Sequence, residues 1–296
     1  MGDIHGRFFR VESWLEALEE ARREPVGLVL AVGDVETFAQ ADDHRRKATK
    51  RTMPAEFSDY ASGRRHFRWP LHFVGGNNEA FEALEEHPEG GELAPNVQYL
   101  GRAGAKTLEG MRVAWLSGIY APTRYALPRL PPRSQETRRQ AGYFRKEDVD
   151  RVRAEPPGPT ELLLLHEWPR GIAGRECSVA RAEIRGIRQA YWPNVGNPHG
   201  LPVINALRPS WVLCGHLHVP FATTLWWTDA PPTRVVCLDQ ATRPEAGLFW
   251  LDVREAKVQS AGWGLDPEPT WREGEPWDER QTAPRMAPVV TTEAAS

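Results

Sequence analysis

Apolar positions along the 296-residue chain follow two rhythms. Across residues 11–23, Trp14, Leu15 and Leu18 recur at helical spacing among Glu and Arg, which predicts an amphipathic helix. Next comes Leu28-Val29-Leu30-Ala31-Val32, a short unbroken apolar run that stops at Gly33-Asp34 and reads as a strand. The same strand-then-polar-turn pattern returns three times: Leu71-His72-Phe73-Val74 before Gly75-Gly76-Asn77, residues 162–165 before His166, and residues 211–214 before Gly215-His216. Further strands are predicted at 113–116, 235–238 and 248–253. Unbroken rather than alternating apolarity means strands covered on both faces, hence a layered α/β core whose strand ends converge on one crevice.

Composition narrows the picture. At 41% hydrophobic and 26% charged, the chain can bury one large core, and one folded domain over residues 1–265 is expected. From Pro267 the sequence turns rich in Pro, Glu, Thr and Arg without periodicity, so residues 266–296 are expected to form a disordered tail. A net charge of −3 cannot attract nucleic acid in bulk; any polyanion contact must come from a local basic face. Cys177, Cys214 and Cys237 are read as buried thiols, with no disulfide framework. No apolar run approaches the roughly 18 to 20 residues of a membrane span, and Asp3 leaves no room for a signal peptide, so a cytoplasmic protein is expected.

The strand ends carry the chemistry. They deliver Asp3 and His5, then Asp34, Asn77, His166, and finally His216 and His218, all suited to hard or borderline divalent cations. Each has a bland reading alone, as a turn former or a hydrogen-bonded core histidine. Their joint placement after buried strands, flanked by Gly2, Gly6, Gly33, Gly75, Gly76 and Gly215, favours a metal centre. In His216-Leu217-His218, alternate residues of an extended segment face one side, so two imidazoles can address two neighbouring ions.

These blocks resemble a family. Gly2-Asp3-Ile4-His5-Gly6, Gly33-Asp34, Gly76-Asn77-Asn78-Glu79, Leu165-His166 and Gly215-His216-Leu217-His218 are similar, in order, to the five blocks of calcineurin-like metallophosphoesterases. Residues 74–80, 94–101, Ser117-Gly118-Ile119-Tyr120, His166-Glu167-Trp168-Pro169-Arg170 and Val219 bring the likeness closest to the RNA lariat debranching enzymes. The resemblance implies a four-layer αββα sandwich of two mixed sheets flanked by helices, with residues 1–265 as the catalytic domain. It also implies two divalent ions, Mn, Fe or Zn, one held by Asp3, His5 and His218, the other by Asn77, His166 and His216, with Asp34 bridging. Asp34, Asn78 and His166 are then the catalytic positions, and a dinuclear metal-bound hydroxide hydrolyses a phosphodiester of RNA or a nucleotide, a 2′,5′ branch among the candidates.

Three departures stand out. Debranching enzymes commonly carry Cys where this chain has Asp3, so its first ion site looks like that of the wider superfamily. The block Gly-Asn-His-Glu reads Gly76-Asn77-Asn78-Glu79, replacing a proton-donating His by an amide; slow turnover, an activated leaving group, or a substitute donor such as His87 or His199 is expected. Finally, Asp3 normally follows an apolar strand in this family, whereas only Met1 and Gly2 precede it here; a truncated or misassigned start is expected, leaving strand neighbours unpaired.

Arginine is dense at 45–51, 64–68, 124–146 and 170–188, and is read mostly as solvated surface. As substrate contacts the sequence offers Trp168, Arg170 and Tyr120, with Tyr125 and Trp192 as further stacking faces. Glu79 and Glu167 adjoin ligands and are expected to orient imidazoles. Two rivals stay open: a phosphomonoesterase or small cyclic-nucleotide phosphodiesterase on the same metal centre, and a binding module that has lost its chemistry. The partner expected is a phosphate ester, with no membrane; oligomeric state is not legible.

Overall fold

A computed structural model of the protein describes residues 1–40, 56–155, 160–173 and 194–277. The chain opens with α1 (Phe8–Arg22), and β1 (Val29–Ala31), β2 (Leu71–Phe73), β3 (Gly91–Ala94) and β4 (Val97–Tyr99) form a four-stranded sheet in the order β1-β2-β4-β3. A second sheet of six strands runs β5 (Ala103–Leu108), β6 (Met111–Leu116), β7 (Leu162–Leu165), β8 (Trp211–Cys214), β10 (Thr233–Cys237), β9 (Phe221–Leu225). A third, smaller sheet joins β11 (Phe249–Arg254), β12 (Lys257–Trp263) and β13 (Trp271–Arg272).

Strand periodicity explains the layers. On β7, Leu163 and Leu165 belong to one core while Leu162 and Leu164 belong to another; on β8, Val212 and Cys214 separate likewise from Trp211 and Leu213. Successive side chains leave opposite faces of a strand, so an unbroken apolar run serves two cores at once. The first core packs the outer face of the six-stranded sheet against the helices Lys146–Arg153 and Gly200–Leu207 through Val149, Val152, Val203 and Ile204. The second lies between the sheets, where Val32, Val74 and Leu100 meet Val113, Trp115 and Leu164. A third packs α1 and α2 (Phe57–Ala61) on the four-stranded sheet through Phe8, Val11, Leu15 and Tyr60. Three cores separate four layers, the αββα sandwich that the resemblance implied.

Parallel pairing aims the strand ends. β1 pairs parallel with β2, and β6, β7 and β8 pair parallel in turn. Their carboxyl ends therefore open on one side, at the crevice between the sheets. Met1 continues the four-stranded ladder: its amino group donates to the Leu30 carbonyl (2.9 Å), its carbonyl accepts from Val32 N–H (3.1 Å), and Gly2 N–H donates to the Gly247 carbonyl (2.7 Å). The neighbours expected to be unpaired are thus paired at Met1 and Gly2. Alongside Met1, between residues 26–30 and 248–253, runs a groove of about 400 Å³.

The tail boundary needs correction. Trp271 is buried in β13 and packs edge-on against Trp211 (5.3 Å between ring centres), and Trp277 does the same at 5.2 Å. Aromatic burial holds residues 271–277 to the domain although the sequence there lacks period; residues 278–296 lie outside the described part.

Candidate metal centre

Asp3 and His5 sit on the turn between Met1 and α1, and that turn is stitched to the next ligand loop: His5 N–H donates to the Asp34 carbonyl (2.7 Å) and Gly6 N–H to the Val35 carbonyl (3.0 Å). His5, Asp34, His216 and His218 all adopt left-handed φ, between 49° and 70°. For non-glycine residues this conformation is strained and persists where surrounding contacts fix it, a pattern common at functional sites. Glycine allows the close approach. A Cβ on Gly76 would stand 2.1 Å from Asp34 Oδ1, and one on Gly215 would stand 2.3 Å from Asp3 Oδ1.

Two ligand groups form. In the first, His218 Nε2 lies 2.8 Å from Asp3 Oδ2 and 3.2 Å from His5 Nε2, while His5 Nε2 lies 4.0 Å from Asp3 Oδ2. In the second, His166 Nε2 lies 3.1 Å from Asn77 Oδ1 and 3.4 Å from Asp34 Oδ1, with the His216 ring 5.0 Å from that of His166. Asp3 and Asp34 also come together with His166, their ligand atoms all within 4.8 Å of one another, so both carboxylates lie where the two groups meet. Such separations suit donors sharing ions at bond lengths of about 2.0–2.2 Å.

Charge makes the same point. Asp3, Asp34, Glu36 and Glu79 are all at most 2% exposed, and among the described residues the ion pairs of Asp3 and Asp34 are with histidines. Uncompensated burial of carboxylates costs several kcal/mol each, and bound cations would offset it. Burial raises the Asp3 pKa, but the His218 hydrogen bond and the charges of His166, His218 and His5 outweigh this and hold it below the usual carboxylate range. Burial, then the His166 charge, lowers His216 to about 4, leaving it neutral near pH 7 as a ligand must be. The donor set therefore fits a pair of divalent ions.

Supporting contacts differ from those expected. His166 Nδ1 is held by the Val32 carbonyl (2.8 Å), and His5 Nδ1 by Glu36 Oε1 (2.7 Å). Among the described residues Glu79 orients no imidazole: it accepts backbone N–H from Val35, Gly76 and Glu36 at 3.0, 3.0 and 2.8 Å, joining two candidate ligand loops. Glu167 accepts the Tyr120 backbone N–H at 2.7 Å, and burial raises its pKa to about 7. Glu36 was missed, since a lone Glu in a turn carries no sequence signal.

The Asn78 amide donates to Asp34 Oδ2 (2.6 Å) and its backbone N–H to Asp34 Oδ1 (2.7 Å), so the residue braces the Asp34 carboxylate. Trp168 is a correction: it is fully buried, its ring packed on Phe221 at 4.4 Å, and it has no face to offer a base. Arg170 donates through Nε to the Gly196 carbonyl (3.2 Å). Tyr120 is half-buried beside Tyr125 and His199, the latter two stacked at 4.1 Å. His87 packs its ring against Gly91. Arg64, Arg65 and Arg68 pair with Asp59, Glu12 and Glu19, as solvated-surface arginines do. Trp192, Cys177 and the arginines at 45–51 and 175–188 lie outside the described residues.

The sequence model of the calcineurin-like phosphoesterase family matches residues 1–220. The chain belongs to that family. Among curated relatives, the lariat debranching enzyme of Danio rerio is 30% identical over 278 residues, 90% of this chain and 49% of that protein. Those of Gallus gallus and Homo sapiens are 30% identical over 282 and 230 residues, covering 91% and 76% of this chain and 52% and 42% of theirs. The chain spans about half the length of these relatives. Calcineurin-like phosphoesterases imply divalent metal ions, and the two ligand groups are where this member would hold them. Among the described residues, no helix is long and apolar enough to cross a membrane.

Proposed function

We propose that this chain is a two-metal phosphodiesterase acting on RNA or a nucleotide. The observation that carries the reading is the convergence of His166, Asn77 and Asp34 on one side and Asp3, His5 and His218 on the other. One ion would be held by Asp3, His5 and His218, the second by Asn77, His166 and His216, with Asp34 shared; Mn, Fe and Zn all suit this N/O set. Bound there, the pair would acidify and orient the attacking water and offset charge on the phosphate oxygens.

The protein's own part is positional. Asn78 fixes both oxygens of Asp34, and Glu79 fixes the loops on either side of it. Neutral His216 keeps a lone pair available. At position 78 the amide has no proton to give near neutral pH, so the leaving oxygen departs without an acid from that position. Half-buried Tyr120 and Tyr125, backed by His199, form the aromatic surface best placed to receive a base, in the place first given to Trp168. Similarity to lariat debranching enzymes supports RNA as substrate and makes a 2′,5′ branch the first linkage to try.

Turnover of a branched oligonucleotide, a linear oligonucleotide, bis-p-nitrophenyl phosphate and p-nitrophenyl phosphate with added Mn tests the reading. Cleavage of diesters in preference to the monoester is expected. Preference for the monoester would move the chain to the phosphomonoesterases, and no metal-dependent cleavage of any of the four would leave a binding module.

A further inference from the structure

His5 and His166 face opposite ligand groups and are held from behind by different kinds of acceptor. Behind His166 is a neutral carbonyl, that of Val32, at 2.8 Å from Nδ1. Behind His5 is a carboxylate, Glu36, at 2.7 Å from Nδ1 and 2% exposed. Glu36 is itself fixed, at a left-handed φ of 62° with its backbone N–H on Glu79 Oε2 at 2.8 Å. When Nδ1 donates to a carboxylate, the ring is locked with its Nε2 lone pair toward the ligand group, and that lone pair becomes more basic.

We infer that Glu36 is the positioning residue for His5, and that its hydrogen bond to Nδ1, where His166 has only a backbone carbonyl, makes the Asp3–His5–His218 group the tighter of the two ion sites. The inference rests on the two-ion reading of the centre. Loss of such an outer partner typically weakens metal affinity by about 10- to 100-fold. Affinity should therefore be lost at one site and kept at the other.

Zinc titration of the full chain against a competing chelator tests this, using wild type, Glu36→Gln, Glu36→Ala, His5→Ala and the double variant Glu36→Gln/His5→Ala. Wild type should show two binding classes, and Glu36→Gln should weaken the tighter class by roughly 10- to 100-fold while leaving the weaker unchanged. The double variant should bind no more weakly than His5→Ala alone, because Glu36 acts through that ring. In the metal-free protein, nitrogen-15 spectra should show His5 protonated at Nδ1 in wild type and a tautomer mixture in Glu36→Ala; should that variant fail to fold, the glutamine variant decides by its affinities. Two classes unchanged in Glu36→Gln would overturn the role of Glu36 and leave the metal centre standing. Wild type binding no zinc would overturn both.

Discussion

Glu79 holds three backbone N–H groups with one buried carboxylate, and burial and the Asp34 charge push its pKa well above the ordinary range. Glu79→Ala would leave those donors without an acceptor at about 1–3 kcal/mol each. A loss of at least about 3 kcal/mol in urea unfolding is expected, with Glu79→Gln losing less because it keeps an acceptor oxygen; equal stability of the alanine variant would count against the clamp. Asn78 makes a separate prediction. Asn78→His restores a side chain able to protonate a leaving oxygen, so turnover of an alkyl phosphodiester should rise by roughly 10² while p-nitrophenyl diesters change little. No gain on the alkyl substrate would remove proton donation from that position's role. The seven residues proposed as ligands were legible because each closes an apolar run or a glycine turn. Glu36 was not, since its hydrogen bond to His5 spans 31 residues of sequence. Trp168 was misread because an aromatic beside a ligand histidine looks alike in sequence whether it faces substrate or, as here, Phe221.

Among the elements, β1, β2, β6, β7, β8, β10 and β11 were foreseeable from unbroken apolar runs, and the structure explains the runs by giving each face its own core. The hairpin strands β5 and β12 were not. Their turns, Glu109-Gly110 and Glu255-Ala256, adopt positive φ at both residues, the twist-matched two-residue geometry, yet lack the Asn-Gly or Asp-Gly signature. One strand carries a testable liability. On β2, His72 has its Nδ1 buried without a hydrogen-bond partner among the described residues, and burial, with the Lys106 charge, lowers its pKa to about 4. The unfolded chain then binds a proton that the folded chain refuses, so the stability this group allows is complete above about pH 6.5 and drains away as pH falls toward 4. Urea midpoints measured from pH 7.5 to 4.5 should fall less steeply for His72→Gln than for wild type. Parallel curves would show that His72 is not a source of the acid loss.

At the scale of the whole molecule, a chain of net charge −3 brings four carboxylates and four imidazoles into one buried crevice, and local chemistry rather than overall charge sets what it can hold. The arginine-rich stretches, candidates for a polyanion face, are in part neutralised by their own neighbours, Arg129 by Asp148 and Arg138 by Glu82 among them. Layering was legible in the sequence; the extent of the domain was not, because Trp271 and Trp277 anchor by single aromatic contacts that have no period. The centre itself is tested most directly by counting metal in the purified full chain. Elemental analysis should find close to two divalent ions per chain in wild type and close to one in each of His218→Ala and His166→Ala, with folding retained. Metal content near zero in wild type, or unchanged in both folded variants, would contradict the account.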